Sequence, residues 1–228
     1  MKRKIFINQE LNQDKILQIK DQEIINRINN VYRLKLNDGL IFIGNNLLEG
    51  YYYLTKKDKN SLIFKAKYLK KRKLMPLKEV FLYLSFLKKE KFEFILGKVF
   101  ELGIKKIIPL KTERISWSTA KVSDRWRKII YQGIEIADWN YLPEITNPIN
   151  LNELPENTYV LDKYGEDIRN INFNYKIEIV LGPEGGFSEK ELKILSSKKC
   201  KFVSLSKSNL RAETALMIAI GIINFYKN

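Results

Sequence analysis

From residue 73 onward the chain alternates between short apolar runs and amphipathic segments, and this alternation limits the possible folds more than any other feature. The apolar runs VFLYLSF, IKKIIPL, TYVLD, KIEIVLG and KFVSLS predict buried strands. The segments EKFEFILGKVFELG, SDRWRKIIYQGIEIAD, SEKELKILSSK and RAETALMIAIGIINFYK predict helices. We expect the first helix to end at Gly103, the strand IKKIIPL to stop at Pro109 and Ser123 to cap the second helix. Strands that alternate with helices favour an α/β fold, with a mostly parallel sheet and helices on both faces.

The N-terminal third of the chain has a different rhythm. Its runs KIFINQ, VYRLKL, GLIFIG, GYYYLTK and SLIFKAKYLKK are rich in β-branched and aromatic residues and predict short strands. The stretch LNDGL, from Leu36 to Leu40, contains an Asp-Gly hairpin signal. We therefore expect a small β-barrel over residues 1–72. The basic, proline-containing stretch KKRKLMPLKE predicts a boundary near residues 70–75, with a second domain over residues 73–228.

Composition restricts the chemistry and the partners. The formal net charge of +15 favours a polyanionic partner such as nucleic acid, although a lysine-rich composition without such a partner is the alternative. The chain has no histidine, which excludes histidine-based acid–base catalysis and most zinc sites, so we expect no metal. Cys200 is the single cysteine, and the longest apolar stretch, near residues 215–226, is shorter than the ~20 residues that span a bilayer. These features predict a cytoplasmic protein.

A glycine-rich loop, GPEGG, lies between a predicted strand and a predicted helix in IVLGPEGGFSEKELKIL. It lacks the lysine of a P-loop and the spacing of a dinucleotide-binding loop. The carboxylate of Glu184 would repel a phosphate, so the loop suits a neutral or cationic ligand; a tight turn without a ligand is the alternative. Ser188 and Glu191 have the spacing of a capping box, which makes them structural rather than catalytic.

Two further polar clusters stand at predicted element ends. In NLRAETALMIAI, Arg211, Glu213 and Thr214 crowd the first turn of an apolar helix. Because a cation is unfavourable at a helix N-terminus, we expect Arg211 to have an acidic or phosphate partner; an ordinary first turn explains Glu213 equally well. In GKVFELGIKKIIPLKTER, four polar residues would stand at the ends of a helix and a strand, namely Lys98, Thr112, Glu113 and Arg114. Their spacing is equally compatible with a functional site and with a solvated loop.

Several of these motifs together resemble one known family. LGPEGGFSEKE, LRAETA, KFEFILGKVFELGIKKIIPLKTER and VYRLKLNDG are similar, in the same order, to motifs of the bacterial 16S ribosomal RNA uracil-N3 methyltransferases, and the resemblance covers nearly the whole chain. It implies an N-terminal PUA-like barrel that binds RNA and a C-terminal SPOUT domain with a deep trefoil knot. It also implies a homodimer that uses S-adenosylmethionine to methylate N3 of a specific uridine in 16S rRNA, in the decoding region of the 30S subunit.

The resemblance also implies residue roles. Glu213 would act as base or orienter, and Arg211 or Arg114 would stabilise the uracil anion or hold phosphate. Basic residues would position the RNA: Arg33, Lys35 and Lys98. Two loops, Leu181–Phe187 and Leu205–Leu210, would enclose the cofactor, and the cofactor-binding residues would be Leu181, Gly182, Pro183, Glu184, Gly185, Gly186, Leu205, Ser206, Asn209, Leu210 and Thr214.

The chain departs from the family pattern at three places, the first of which is NRINNVYR, where the histidines common in the family's N-terminal signature are absent. Ser206, Ser208 and Asn209 stand where the family has Gly, Arg and Ile, and EIADW replaces the family's Glu-Gln-x-x-Arg segment. Two other readings stay open. One is another SPOUT methyltransferase, such as a ribose 2′-O-methyltransferase; the other is a non-catalytic RNA-binding assembly factor.

Overall fold

The chain forms two compact units in the computed structural model, which describes residues 3–12, 16–115 and 117–225. The first unit extends to Leu74 and also contains Ile134–Leu142. The second unit contains Met75–Gly133 and the chain from Pro143 onward. The division lies two residues beyond the boundary at residue 72, and no feature of the composition indicated that a later segment joins the first unit.

The first unit is built on a five-stranded sheet in the order β1-β3-β4-β5-β2. β1 is parallel to β3, and the remaining pairs are antiparallel. Its elements are β1 (Lys4–Phe6), β2 (Ile16–Ile19), α1 (Gln22–Asn26), β3 (Gly39–Ile43), β4 (Leu48–Lys57) and β5 (Leu62–Lys71). Because the pairings described end at β1 and β2, the predicted barrel stays a prediction.

The segment VYRLKL was wrongly predicted as a strand. Asp21 caps α1 by accepting the N–H groups of Glu23 and Ile24, and the chain continues as a π-helical turn over Arg27–Tyr32. Arg33 then adopts a left-handed backbone with φ of 52°, which ends the helical stretch. The apolar side chains of VYRLKL do not all point into a core, since that of Val31 remains 69% exposed.

The Asp-Gly signal in LNDGL marks a turn but not a hairpin. Asp38 accepts the N–H of Lys35 at 2.8 Å, and the turn leads directly into β3. No strand precedes this turn, so the predicted hairpin is absent from this described stretch. The antiparallel pairs form instead between β3 and β4 and between β4 and β5. β2 and α1 were not predicted.

The second unit is an α/β layer structure, as the alternation predicts. Its seven strands run in the order β12-β10-β11-β6-β7-β8, with β9 also on β7, and all pairs are parallel. Its elements are β6 (Glu79–Ser85), α2 (Lys89–Val99), β7 (Ile104–Lys111), α3 (Asp124–Ile136), β8 (Glu144–Ile145), β9 (Ile149–Asn150), β10 (Tyr159–Asp167), β11 (Lys176–Leu181), α4 (Glu189–Ser197), β12 (Lys201–Ser204) and α5 (Ala212–Phe225).

Both faces of this parallel sheet are covered. Along β6, Leu82 and Leu84 belong to a core shared with α2, α3 and α5, whereas Tyr83 belongs to a second core that contains Leu195 of α4. Alternate side chains of a strand point to opposite faces, so the two cores lie on opposite sides of the sheet. A parallel sheet buried on both faces requires nearly continuous apolar strands, which is the pattern of these runs.

Two predicted element ends were wrong. α2 ends at Val99 rather than at Gly103, although Gly103 does adopt the positive φ of 79° that suits glycine. Pro109 does not stop its strand, because β7 continues to Lys111. Ile107 O accepts the N–H of Thr146, on the side of β7 that faces β8 and β9. Pro109 is two residues further along the strand, so its nitrogen faces the same side. Pairing on that side is interrupted here, between β8 and β9. A missing N–H is tolerated at such a gap.

The predicted N-cap of α3 is confirmed, since Ser123 Oγ accepts the N–H of Trp126 at 3.3 Å. Within the described residues, no helix combines the length and apolar character that crossing a membrane requires.

Candidate functional site

A cavity of about 550 Å³ opens at the carboxyl ends of three neighbouring parallel strands, β10, β11 and β12. Its wall consists of the middle of β10, the last residues of β11 and β12 with the segments that follow these two strands, the start of α5 and Lys91 of α2. The carboxyl edge of a parallel sheet is the usual place for a ligand site, and the volume lies within the range of about 300 to 1,000 Å³ for small-molecule pockets.

The GPEGG loop forms a tight turn on one side of the cavity. Gly186 donates its N–H to Pro183 O at 2.9 Å, and its φ of +68° lies in the left-handed region. At Gly182 the ring of Phe187 lies so close that a Cβ would approach it to 2.7 Å. Glycine is therefore favoured at position 186 by the backbone conformation and at position 182 by close packing against Phe187.

Glu184 carries its counter-ion within the chain. Its carboxylate is bound by Lys91 Nζ and accepts the N–H of Lys88 at 3.4 Å. The hydrogen bond from Lys91, reinforced by the Lys88 N–H, lowers the pKa of Glu184 below its ordinary value. The loop is thus fastened to the start of α2, and the repulsion of phosphate expected from Glu184 is weakened by this lysine.

Glu191 joins the loop to another predicted cluster. The capping box is confirmed, because Glu191 Oε2 accepts the N–H of Ser188 at 2.8 Å and Ser188 Oγ accepts the N–H of Glu191 at 3.2 Å. The buried carboxylate also accepts the N–H of Glu113 at 2.8 Å through Oε1. Next in the chain, Arg114 donates from Nη1 to Gly185 O at 2.7 Å. The segment ending in TER therefore lies against the GPEGG turn.

The atypical serines of the second loop bind each other. Ser206 Oγ and Ser208 Oγ are 2.9 Å apart, and Ser208 donates its N–H to Ser206 Oγ at 3.1 Å. Ser204 also donates its hydroxyl to Ser206 O at 3.3 Å. Hydroxyl contacts thus shape this turn after β12 at the positions where the family pattern has other residues.

Most of the predicted cofactor residues line the cavity. Nine of the eleven are on its wall, namely Leu181, Gly182, Pro183, Glu184, Gly186, Leu205, Ser206, Asn209 and Leu210. Gly185 and Thr214 are not among its lining residues, and Thr214 is exposed on α5. That these nine residues hold a cofactor stays a prediction.

The predicted catalytic and RNA-binding residues are more dispersed. Arg211 lines the cavity, and its side chain is exposed with no partner among the described residues, so the predicted acidic partner is absent there. Arg114 reaches the loop through Gly185 only. Lys98 of α2 forms an ion pair with Glu101 at 2.9 Å. Arg33 and Lys35 are exposed in the first unit.

Sequence reasoning missed part of the wall. The middle of β10, just past Leu161 where its pairing with β11 ends, contributes Asp162 and Tyr164, and Asp162 Oδ1 accepts the N–H of Tyr164 at 2.8 Å. The strand TYVLD was predicted to end at this aspartate, so the rule that sites follow strand carboxyl ends could have found it. The other missed lining residues are Lys91, Leu161, Lys163, Val203, Ala212 and Ala215, whereas Phe187 and Ser208 belong to the two predicted loops. No group of three or more side chains suited to a metal ion occurs in the described part of the chain.

Comparisons with known proteins agree with this architecture. Residues 73–224 match the family model of the RNA methyltransferase domain. The ribosomal RNA small subunit methyltransferase E of Aquifex aeolicus is 30% identical over 159 residues, covering 65% of this chain and 69% of that protein. The protein of the same name from Rickettsia conorii is 29% identical over 229 residues, covering 96% of this chain and 93% of its own.

Two solved structures share the fold. A methyltransferase from Legionella pneumophila in complex with the cofactor SAM superposes with a TM-score of 0.87 at 22% identity, covering 98% of this chain and 97% of the other. A ribosomal RNA small subunit methyltransferase E from Neisseria gonorrhoeae bound to S-adenosyl methionine gives 0.85 at 23% identity, with the same coverage. On the family model and on the relative from Aquifex aeolicus, this chain belongs to the RNA methyltransferase family that includes the ribosomal RNA small subunit methyltransferase E proteins.

Proposed function

We propose that this protein methylates N3 of a uridine in 16S rRNA, in the decoding region of the small ribosomal subunit, with S-adenosylmethionine as the donor. Membership of the RNA methyltransferase family gives the reaction class. The observation that carries the proposal is the cavity at the carboxyl ends of β10, β11 and β12, whose wall includes the candidate catalytic residue Arg211, just before α5.

The residues of the cavity fit this donor. Its wall combines apolar side chains, which suit a nucleobase, with the carboxylates of Asp162 and Glu184, which suit hydroxyl and ammonium groups. The GPEGG turn lacks the lysine of a phosphate-binding loop, and the donor has no phosphate. The apolar part of the wall contains Leu181, Phe187, Val203, Leu205 and Leu210. When bound, S-adenosylmethionine supplies the methyl group as an electrophile on a sulfonium sulfur.

Glu213 and Arg211 have complementary tasks in this proposal. A uracil N3 loses a proton as its bond to the methyl carbon forms and the sulfur–carbon bond breaks. The carboxylate of Glu213 accepts that proton, and the guanidinium of Arg211, which has no partner among the described residues, stabilises the charge on the uracil oxygens. Arg114 acts from the GPEGG turn, where it holds Gly185 and can bind phosphate.

The finer features of the fold belong to the same proposal. The family resemblance supports a trefoil knot in the second unit, a PUA-like barrel in the first and a homodimer. The apolar α5 helix, on which Ile218 remains partly exposed, supports the dimer. The charge of +15 supports positioning of RNA by Arg33, Lys35 and Lys98, in the cytoplasm where ribosomes assemble.

The test is methylation of 30S subunits from a strain that lacks this modification, with isotope-labelled donor. Nuclease digestion and mass spectrometry should show label as 3-methyluridine at a single position. Label on a ribose 2′-oxygen would indicate the other SPOUT activity. No transfer, together with no donor binding by calorimetry in the presence of 30S subunits, would indicate a non-catalytic RNA-binding factor. Either of these results contradicts the proposal.

A pair of glycine variants connects the activity to the cavity. In Gly182→Val the new side chain would meet the ring of Phe187, so we expect donor affinity and turnover to fall at least about tenfold. Gly221→Ala is the matched control, because a Cβ at Gly221 meets nothing within 4 Å. Equal activity of the two variants, both folded by circular dichroism, would place the donor elsewhere.

A further inference from the structure

A bulge interrupts β10 beside the cavity. Leu161 and Glu166 are both paired with Val203 of β12, so the four residues 162–165 lie outside that ladder. Pairing of β10 with β11 also ends at Leu161. Bulges break ladder hydrogen bonds and redirect side chains, and they are over-represented next to active sites. The conformation of residues 162–165 therefore needs support from its own side chains or from its neighbours.

Two residues of the bulge supply this support. The Asp162 carboxylate accepts the N–H of Tyr164 at 2.8 Å, which satisfies a backbone group that the ladder does not pair. A Cβ at Gly165 would collide with the backbone of Phe202 and Val203, so glycine lets β10 return this closely to β12. The first and last residues of the sequence DKYG thus build the bulge, and its two middle side chains are available for another role.

Those two side chains form an exposed aromatic and cationic surface. Tyr164 lines the cavity yet is 89% exposed, so its ring lies at the rim of the cavity rather than inside. The Lys163 ammonium lies over this ring, 5.8 Å from the centroid, which is the distance of a cation–π contact. One face of the ring is thus next to a cation, and the high exposure leaves the other face to solvent. Such a surface suits a flat ligand that carries negative charge.

An RNA base fits this surface better than the donor does. The apolar residues that suit the nucleobase of the donor lie deeper, since Leu181 is 4% and Val203 1% exposed. The ring of Tyr164 instead faces molecules that approach the rim from solvent. An unpaired RNA base offers an aromatic face, and the phosphate of its strand can bind Lys163. RNA is also the substrate class of the family to which the chain belongs.

We infer that Tyr164 stacks on an unpaired base of the substrate RNA at the rim of the cavity, and that Lys163 binds a phosphate of the same strand. The inference rests on the proposed function, which places the donor in the cavity, and it adds two RNA-binding residues beside that donor. Stacking of one base on an aromatic side chain changes affinity roughly 5- to 150-fold.

The test measures the methylation kinetics of 30S subunits that lack the modification, and the affinity for the same subunits by filter binding. Tyr164→Ala should raise KM and weaken the affinity about tenfold, with little change in kcat, because the ring binds RNA and takes no part in the transfer. Tyr164→Phe should keep the wild-type values, since it keeps the aromatic face. Tyr164→Leu is apolar without such a face and should resemble Tyr164→Ala.

Controls separate this role from a structural one. Tyr175→Ala replaces another exposed tyrosine, which precedes β11 and does not line the cavity, and should change neither KM nor affinity. Tyr164→Ala should keep the wild-type unfolding midpoint and the donor affinity measured by calorimetry, because the side chain is exposed at the rim. Lys163→Gln should reduce the slope of log affinity against log salt by about 0.7, as expected for one phosphate of a single strand.

Three results would overturn the inference. Loss of donor affinity in Tyr164→Ala would mean that the ring stacks on the donor, and a changed oligomeric state of this variant would make the ring a subunit contact. Equal affinities of Tyr164→Phe and Tyr164→Leu for 30S subunits would exclude stacking.

The kinetics and the affinities distinguish this inference from the proposed function. If the wild type makes no 3-methyluridine, the proposed function fails, and the affinity series still decides whether Tyr164 binds RNA. If the wild type makes 3-methyluridine but Tyr164→Ala binds 30S subunits as tightly as the wild type, only the stacking role is overturned.

Discussion

At the scale of single residues, Glu191 shows how one buried carboxylate can hold two loops together without lining the cavity beside them. It accepts two backbone N–H groups, from Ser188 within its own helix cap and from Glu113 after β7. The sequence identified only the first of these roles, because the capping-box spacing is local. The second role depends on the loop after β7 lying against α4, which no spacing in the sequence indicates.

Replacement of this carboxylate tests its double role. In Glu191→Gln one acceptor oxygen becomes an amide N–H₂ that faces a backbone N–H, so we expect a loss of about 1 to 3 kcal/mol in the free energy of unfolding, measured in urea. Glu189→Gln removes the same charge from an exposed side chain in the same turn and should change stability by less than about 0.5 kcal/mol. Equal effects of the two variants would mean that Glu191 contributes by charge alone.

At the scale of elements, the location of the atypical segment EIADW was the hardest to predict from the sequence. It belongs to the first unit, where its two acids are paired. Glu135 binds Arg27 at 2.6 Å and accepts the N–H of Phe6 at 3.0 Å, and Asp138 binds Lys4 at 2.5 Å. Departure from the family pattern here thus coincides with ion pairs inside the first unit.

Arg72 provides a second attachment for the same segment. The residue is 4% exposed, and its guanidinium donates to Ala137 O at 2.8 Å and Ile134 O at 3.0 Å and lies 3.5 Å from Glu49. Burial lowers the pKa of Arg72, and the nearby charge of Glu49 partly opposes this. The arginine of the basic run that predicted a linker is therefore a buried structural residue.

Removal of this guanidinium should destabilise the first unit. In Arg72→Met the two carbonyls lose their donor and Glu49 keeps only Lys4 and Lys70 as cations, so we expect a loss of about 2 to 4 kcal/mol in the free energy of unfolding. Lys71→Met, at the exposed neighbouring position, should change it by less than about 0.5 kcal/mol. Chemical denaturation followed by tryptophan fluorescence measures both, and similar midpoints for the two variants would contradict this assignment.

At the scale of the whole molecule, the net charge of +15 predicts a polyanionic partner and binding that depends on salt concentration. Binding to a 16S rRNA transcript should weaken steeply between about 50 and about 200 mM salt, because neutralised phosphates release counterions. Arg33→Gln combined with Lys35→Gln should reduce the slope of log affinity against log salt by about 1.4 to 1.8. Lys190→Gln combined with Lys193→Gln, on exposed positions of α4, serves as the control and should leave the slope nearly unchanged.

Filter binding over a salt series measures these slopes. An equal reduction in both double variants would mean that the charge acts as a diffuse field, and that the exposed pair in the first unit has no special part in RNA binding. A reduction confined to Arg33 and Lys35 would support the proposed RNA contact.

The sequence by itself determined the α/β class, the parallel sheet and the capping box after the GPEGG loop, because apolar periodicity and capping residues act over a few neighbouring positions. It could not determine that VYRLKL begins in a π-helical turn and leaves it at Arg33, since an aromatic, β-branched run fits a strand equally well. It could not place Pro109 inside β7, because that depends on a gap in the neighbouring strands.

Only the tertiary structure brought the candidate site together. Asp162, the GPEGG turn and the serine loop are separated by tens of residues, and they meet because β10, β11 and β12 are neighbours in one parallel sheet. The ion pair of Glu184 with Lys91 likewise arises from the packing of α2 beside these loops. Local sequence patterns specify elements, whereas the pairing of distant strands decides which side chains share a cavity.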